Sequence, residues 1–177
     1  MIDNDLSHLY PPFAEQVQRF LYKVNSEGLG AHVFEGFRPM ERELELYAKG
    51  RVCKDGKWII IHPELVVTRA FPGFGLHAYG VAIDMAFDGN HQKQGAQWAW
   101  TDLDTFNPAR PLPWSRLGQL GELVGMEWGG RWTTYPELPT FQNGFGLRVH
   151  QMYDILQAEG LQGVWKAFDK FGRRAAA

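Results

Sequence analysis

Residues 73–84 read Gly-Phe-Gly-Leu-His-Ala-Tyr-Gly-Val-Ala-Ile-Asp. From residue 81 onward, large apolar residues alternate with small or acidic ones, which predicts a strand with Asp84 on its small-residue face. On one straight strand His77 and Asp84 would face opposite sides and lie ~23 Å apart. A chain reversal at Gly80 would instead bring both side chains within reach of one metal ion. The alternative is a solvated histidine on a glycine-rich turn, beside an aspartate that caps it.

Composition limits the kind of site that the chain can build. The 177 residues are 45% hydrophobic and 21% charged, which indicates one folded domain and excludes disorder over most of the chain. The formal net charge of -2 gives no overall field that would attract nucleic acid. Cys53 is the single cysteine, so an internal disulfide and a multi-thiolate metal site are excluded. Any metal must therefore be held by histidines and carboxylates.

The N-terminal segment is acidic and lacks the basic and apolar stretches that are typical of a secretory signal. No stretch approaches the ~20 apolar residues of a membrane span. We therefore expect synthesis in the cytoplasm, no membrane insertion and a monomer.

Hydrophobic periodicity and turn residues predict an α+β domain in which a small antiparallel sheet carries the site and helices pack on one side. We expect a single domain over 1–177, with 143–177 as a C-terminal helical extension packed on it. A surface excursion is expected over 88–113. The predicted elements are helices over 11–28, 39–50 and 114–125, a strand over 31–37, a hairpin over 51–61 that turns at Asp55-Gly56, a strand over 81–86, and two short helices over 149–171 that break at Gly160.

Several motifs occur in a fixed order around residues 73–84. The His77-x6-Asp84 pair follows Gly36-Phe37-Arg38 and the segment 46–51 (Leu-Tyr-Ala-Lys-Gly-Arg), and it precedes Glu127-Trp128-Gly129-Gly130. This order resembles the zinc peptidases that cut peptidoglycan stem peptides, the L-alanyl-D-glutamate and D-alanyl-D-alanine peptidases, which include many phage endolysins. The resemblance spans about residues 6–142. It implies a fold of the Hedgehog and DD-peptidase type.

The resemblance also implies roles for individual residues. It makes His77 and Asp84 zinc ligands, and it gives Arg38 the task of holding or polarising the substrate. The family continues with Asp-x-Pro-His-Phe, whose aspartate is the general base and whose histidine is the third zinc ligand. The matching residues are Glu137 as the base and Thr140 in place of the histidine.

Threonine at the third ligand position predicts a zinc site that is weak or empty, because a neutral hydroxyl is a poor zinc ligand. Three completions stay open: Glu137 ligates the metal, His150 reaches in from the start of the C-terminal helix, or substrate and water fill the site. Three more departures from the family lie at Gly75, Glu43 and Arg131, where it usually has serine, glutamine and an acidic residue.

Aromatic residues near these motifs predict a substrate surface. Trp128 and Trp132 flank two glycines, and Tyr79 follows the histidine closely, so we expect all three to line a groove for the substrate. The leading hypothesis is a zinc-dependent peptidase that hydrolyses a stem-peptide amide and acts at the cell wall once it is released. The alternative is a catalytically impaired homologue that binds the wall or serves as a structural module.

Overall fold

The computed structural model describes residues 2–87, 91–94, 97–100 and 112–175, with side chains over 2–87 and 112–172. Within these ranges, no helix is both long and apolar enough to cross a membrane. The helices are α1 (Pro11–Ser26), α2 (Met40–Ala48), α3 (Trp114–Leu123) and α4 (Val149–Ala175), and the strands are β1 (Ala31–Glu35), β2 (Arg51–Lys54), β3 (Lys57–Ile60), β4 (Ala82–Phe87), β5 (His91–Gln94), β6 (Gln97–Trp100), β7 (Glu127–Trp128) and β8 (Thr140–Gln142).

An antiparallel four-stranded sheet with the order β1-β4-β8-β7 forms the centre of the fold. Ile83 faces Phe141 across the β4–β8 pair, and Asp84 faces Thr140. Successive side chains of a strand point to opposite faces, so the sheet has an apolar core face and a second face that carries Asp84 and Thr140. The predicted α+β class with a small antiparallel sheet is confirmed.

Helices α1 and α3 cover the core face of the sheet, as the helical periodicity predicts. Phe20 of α1 packs on Phe141, with ring centroids 4.8 Å apart. Two glycines allow α3 to approach closely, because a Cβ at Gly118 would lie 2.2 Å from the Trp128 ring and one at Gly121 would lie 2.5 Å from the Phe141 ring. The helices therefore leave the other face of the sheet available for a site.

The predicted hairpin is present as β2 and β3, which pair in register on either side of Asp55-Gly56. Both turn residues have positive φ, 51° and 75°, as a type I′ turn requires. The predicted break at Gly160 is also confirmed, because this residue has φ 70° and ψ -175° inside α4. Apart from β5, β6 and residues 112–113, the predicted surface excursion lies outside the described residues.

A β-bulge in β1 changes which side chain faces the site. Val33 pairs with Met85 on the core face, but the register shifts before the next pair, which joins Glu35 to Asp84. Without the bulge, Glu35 would point to the same face as Val33. The extra residue, Phe34, therefore turns a glutamate towards Asp84.

Candidate active site

A short reversal of the chain brings His77 and Asp84 together. Residues Leu76–Tyr79 form a 3₁₀ turn, and Gly80 ends it in the left-handed conformation at φ 70° before β4 begins. As a result His77 Nε2 lies 3.5 Å from Asp84 Oδ1. The expected reversal at Gly80 is confirmed, and the straight-strand arrangement is wrong.

The histidine is held in a tautomer that leaves one nitrogen available. His77 Nδ1 lies 2.7 Å from the carbonyl oxygen of Gly36, to which it can only donate. Nε2 is buried and has no hydrogen-bond partner among the described residues. In the neutral ring the fixed Nδ1–H leaves Nε2 with the lone pair that a metal ligand needs, and in the protonated ring Nε2–H faces the carboxylate of Asp84 instead.

Asp84 accepts hydrogen bonds from two directions. An Arg38 Nη donates to Oδ2, and the Thr140 hydroxyl donates to Oδ1 at 2.8 Å. Burial alone would raise the pKa of Asp84, but the neighbouring His77 and Arg38 outweigh it and hold the pKa well below its usual range. Asp84 is therefore a carboxylate at neutral pH.

Glu137 lies on the other side of the Thr140 hydroxyl, with 3.1 Å between Oγ1 and Oε2. Burial raises the pKa of the Glu137 carboxyl, and the charge of Asp84 raises it further. A carboxyl whose pKa is raised towards neutrality can both take and return a proton, which suits a general base. The structure thus places Glu137 beside the His77–Asp84 pair.

Arg38 is tied to a residue that the sequence did not reveal. Its Nε donates to Glu35 Oε2 at 2.7 Å, and Arg42 Nε donates to the other oxygen of Glu35 at 3.0 Å. Glu35 is buried, and two guanidinium groups compensate its charge. The only signal in the sequence is an acidic residue at the end of a predicted strand, and simple alternation places it in the core.

These residues line one groove of about 440 Å³. One wall is formed by Arg42 and Leu46 of α2 and by Lys49, which follows the helix, and the opposite wall is residues 135–140. The buried side-chain polar atoms without a hydrogen bond in the described part of the chain are His77 Nε2 and Trp114 Nε1, and both residues line this groove. The guanidinium of Arg69 lies 4.7 Å from the ring centroid of Tyr135. This contact joins the loop that carries Val67 and Thr68 to the wall formed by residues 135–140.

Two of the predicted substrate contacts are wrong. Tyr79 is fully buried, and its hydroxyl donates to the carbonyl of Gly73 at 2.5 Å. Trp128 is buried on the core face, where it stacks near Phe141 and donates from Nε1 to the Leu138 carbonyl at 2.8 Å. Both side chains point away from the groove because the 3₁₀ turn and strand β7 orient them inward.

Trp132 and His150 have different outcomes. Trp132 is partly exposed and donates from Nε1 to Glu127 Oε1 at 2.5 Å, next to Gln142 on the Asp84 face of the sheet. Its contact with substrate stays a prediction. His150 is exposed at the start of α4 and does not line the groove, so the structure gives no support to its role as a ligand.

The remaining departures from the family have local explanations. A Cβ at Gly75 would lie 3.2 Å from a carboxyl oxygen of Glu43, so glycine makes room for that buried glutamate. Burial raises the pKa of Glu43. Arg131 pairs with Glu122 on the surface, outside the groove.

The donor set meets part of what a zinc ion requires. Two atoms held ~2.1 Å from a tetrahedral ion lie ~3.4 Å apart, which is close to the His77–Asp84 separation of 3.5 Å. Within the described ranges, no cluster of three or more histidine, cysteine or acidic residues is arranged to hold a metal. His77 and Asp84 therefore fit two ligand positions, and Thr140 occupies the side where the family has its third.

Comparison with known proteins tests the predicted resemblance. Residues 72–143 match a sequence family described as D-alanyl-D-alanine carboxypeptidase. This segment of the chain is therefore similar to that peptidase family. It contains His77, Asp84, Glu137 and Thr140, the residues to which the resemblance gives roles at the site.

Individual proteins are also similar to this chain. The peptidoglycan L-alanyl-D-glutamate endopeptidase CwlK of Bacillus subtilis is 28% identical over 133 residues, which are 75% of this chain and 72% of CwlK. Two crystal structures resemble the chain as well. The L-Ala D-Glu endopeptidase ChiX of Serratia marcescens has a TM-score of 0.47 and 17% identity, over 80% of this chain and 84% of ChiX. The D,D-pentapeptidase VanY of a VanB-type vancomycin-resistance cassette, solved with Zn(II), has a TM-score of 0.47 and 17% identity, over 92% of this chain and 83% of VanY.

Proposed function

We propose that this protein is a zinc-dependent peptidase that hydrolyses an amide bond in peptidoglycan stem peptides. The observation that carries the proposal is the buried, unpartnered Nε2 of His77, which faces Asp84 in an open groove. The similarity of residues 72–143 to a peptidase family and of the chain to CwlK, a peptidoglycan endopeptidase, supports the reaction class and the kind of substrate.

His77 Nε2 and Asp84 Oδ1 would hold the zinc ion, and Glu137 lies on the other side of the Thr140 hydroxyl, where it is the base. A zinc ion bound there would lower the pKa of a bound water to ~7 and polarise the amide carbonyl. With two ligands of the family's three retained, we propose that the affinity for zinc is low and that zinc must be supplied for full activity.

The chain's own residues carry the proton transfer and the charge balance. Glu137, with its raised pKa, takes the proton from the attacking water and returns it to the amine that leaves. Thr140 donates its one hydroxyl proton to Asp84, and its oxygen can accept a hydrogen bond from Glu137 once that carboxyl holds the proton. Arg38 lies against Asp84 in the groove, where its positive charge stabilises negative charge that develops on the carbonyl oxygen.

The site of action is the cell wall, which a chain made in the cytoplasm reaches after release, as phage endolysins do. Trp132 extends the substrate surface along the Asp84 face of the sheet. Both statements are parts of the proposal and rest on the resemblance.

The deciding experiment is hydrolysis of purified cell walls and of synthetic stem peptides, followed by turbidity and by mass spectrometry, across a range of zinc concentrations. Cleavage should rise with zinc, stop on chelation and be lost in His77→Ala. His62→Ala is the matched control, because His62 is exposed and lies outside the groove. Wall binding without cleavage of any stem peptide at any zinc level would overturn the proposal in favour of a catalytically impaired module.

A further inference from the structure

The cations that line the groove differ in how they are compensated. Arg38 is paired with Glu35 and Asp84, and Arg42 is paired with Glu35 and Glu45. Lys49 also lines the groove, yet among the described residues it has no ion pair and no side-chain hydrogen bond. Lys49 is therefore the lining cation whose charge is available to a ligand.

Helix geometry fixes where Lys49 lies relative to the catalytic cluster. Arg42 and Leu46 of α2 line the groove, and Lys49, the extended residue that follows the last residue of α2, also lines it. From Arg42 to the end of α2 the helix rises ~9 Å. Lys49 thus lies at the far end of this wall from Arg42.

The surroundings of Lys49 favour an anion over a neutral group. Partial burial lowers the pKa of Lys49 and the neighbouring charge of Arg42 lowers it further, while the charges of Glu35 and Glu45 act in the opposite direction. A carboxylate placed beside Lys49 in the groove would form a charge-assisted hydrogen bond with it. Leu46 and Val67 add apolar surface next to this position, so the pocket suits a carboxylate on a peptide and not a free ion.

We propose that Lys49 determines substrate specificity by binding a free carboxylate of the peptide that occupies the groove. This inference rests on the proposed function, which supplies a stem peptide as the substrate. A glutamate within such a peptide has two carboxyl groups and uses only one to continue the chain, and the peptide also ends in a carboxylate. Either source offers the same chemistry to Lys49.

The test compares four stem peptides: one with both carboxylates free, one amidated at the glutamate, one amidated at the C-terminus, and one amidated at both. Binding is measured by calorimetry with zinc chelated, so that no hydrolysis is needed. Amidation of the carboxylate that Lys49 binds should weaken binding to the wild type ~10-fold. The amidated peptide that loses affinity therefore shows whether this carboxylate is that of the glutamate or that of the C-terminus.

Two variants and a control complete the test. Lys49→Met should bind the free peptide ~10-fold more weakly than the wild type does, and it should bind the free and the amidated peptide with equal affinity. Lys49→Arg should again bind the free peptide more tightly than the amidated one. Lys54→Met is the control, because Lys54 is exposed on the β2–β3 hairpin. The inference is overturned if Lys49→Met still discriminates, or if the wild type does not. Discrimination without cleavage would instead contradict the proposed function alone.

Discussion

Thr140 donates to Asp84 across facing positions of β8 and β4, with 2.8 Å between Oγ1 and Oδ1. A threonine hydroxyl has one proton, and Glu137 Oε2 lies 3.1 Å from the same oxygen. The position to which the resemblance gives a metal-binding histidine thus holds a hydroxyl that donates to Asp84 and can accept a hydrogen bond from Glu137 when that carboxyl is protonated. This relationship links the two carboxyl groups of the site through one oxygen.

Replacing Thr140 by histidine should restore a third ligand. Because residue 140 faces Asp84 in the sheet, the imidazole of Thr140→His would enter the site from the side of the present hydroxyl. We expect zinc affinity to rise by ~10-fold or more, measured by competition with a chelating dye. Thr140→Val, which fills the same volume without a ligand, should not bind zinc more tightly than the wild type. Equal affinity for Thr140→His and Thr140→Val would show that residue 140 is not the ligand position.

Replacing Glu43 by glutamine should stabilise the protein at neutral pH. Burial raises the pKa of Glu43, so the folded protein keeps a proton that the unfolded chain loses above its ordinary pKa of ~4.3. Stability from this group is therefore present at low pH and is lost as the pH rises through the pKa of the folded protein. Glu43→Gln should raise the Tm at pH 7, and the gain should disappear near pH 4. Glu41→Gln, an exposed change on the same helix, should give no such gain.

Replacing Gly80 by alanine should destabilise the turn that joins His77 to Asp84. At φ 70°, a side chain is strained by ~1–2 kcal/mol, and the new Cβ would lie 3.1 Å from Tyr10 N and 3.2 Å from His8 O. Gly28 has a similar φ of 65°, but a Cβ there meets nothing within 4 Å. In chemical denaturation, Gly80→Ala should therefore lose ~1–3 kcal/mol more than Gly28→Ala. Equal losses would mean that the contact with residues 8–10 does not restrict the turn.

Replacing Arg38 by methionine should be strongly destabilising. The change leaves buried Glu35 and Asp84 without their shared partner, and breaking a buried pair from one side typically loses ~3–5 kcal/mol. The same change at Arg116, whose partner Glu27 is at the surface, should have only a small effect. Urea unfolding of both variants checks the contrast. Similar losses in the two variants would contradict the structural role given to Arg38.

Much of the site follows from local patterns in the sequence. Alternation over residues 81–86 predicts the face that Asp84 occupies, and the glycine at position 80 indicates the reversal that brings His77 beside it. The hairpin at Asp55-Gly56 and the break at Gly160 are also determined by residues that accept positive φ. These features depend on neighbours in the chain, so one sequence is enough to predict them.

Other features depend on pairing between distant segments. Glu35 faces the site only because of a bulge in β1, and no local residue pattern marks that extra residue. Trp128 is buried because the short strand β7 pairs with β8, a strand pair that was not predicted from the sequence. A tryptophan beside two glycines is therefore an unreliable indication of an exposed substrate contact.

The turn that ends at Gly80 also bears on the order in which the site is assembled. His77 and Asp84 are close in the chain, whereas Arg38 and Thr140 lie 46 and 56 residues from Asp84. Closing a longer loop loses more chain entropy, so the contact within residues 77–84 forms more easily than either distant contact. During folding, the histidine and aspartate can therefore meet before β1 and β8 arrive. The two ligand positions are in that sense a local unit, and completion of the active site depends on completion of the sheet.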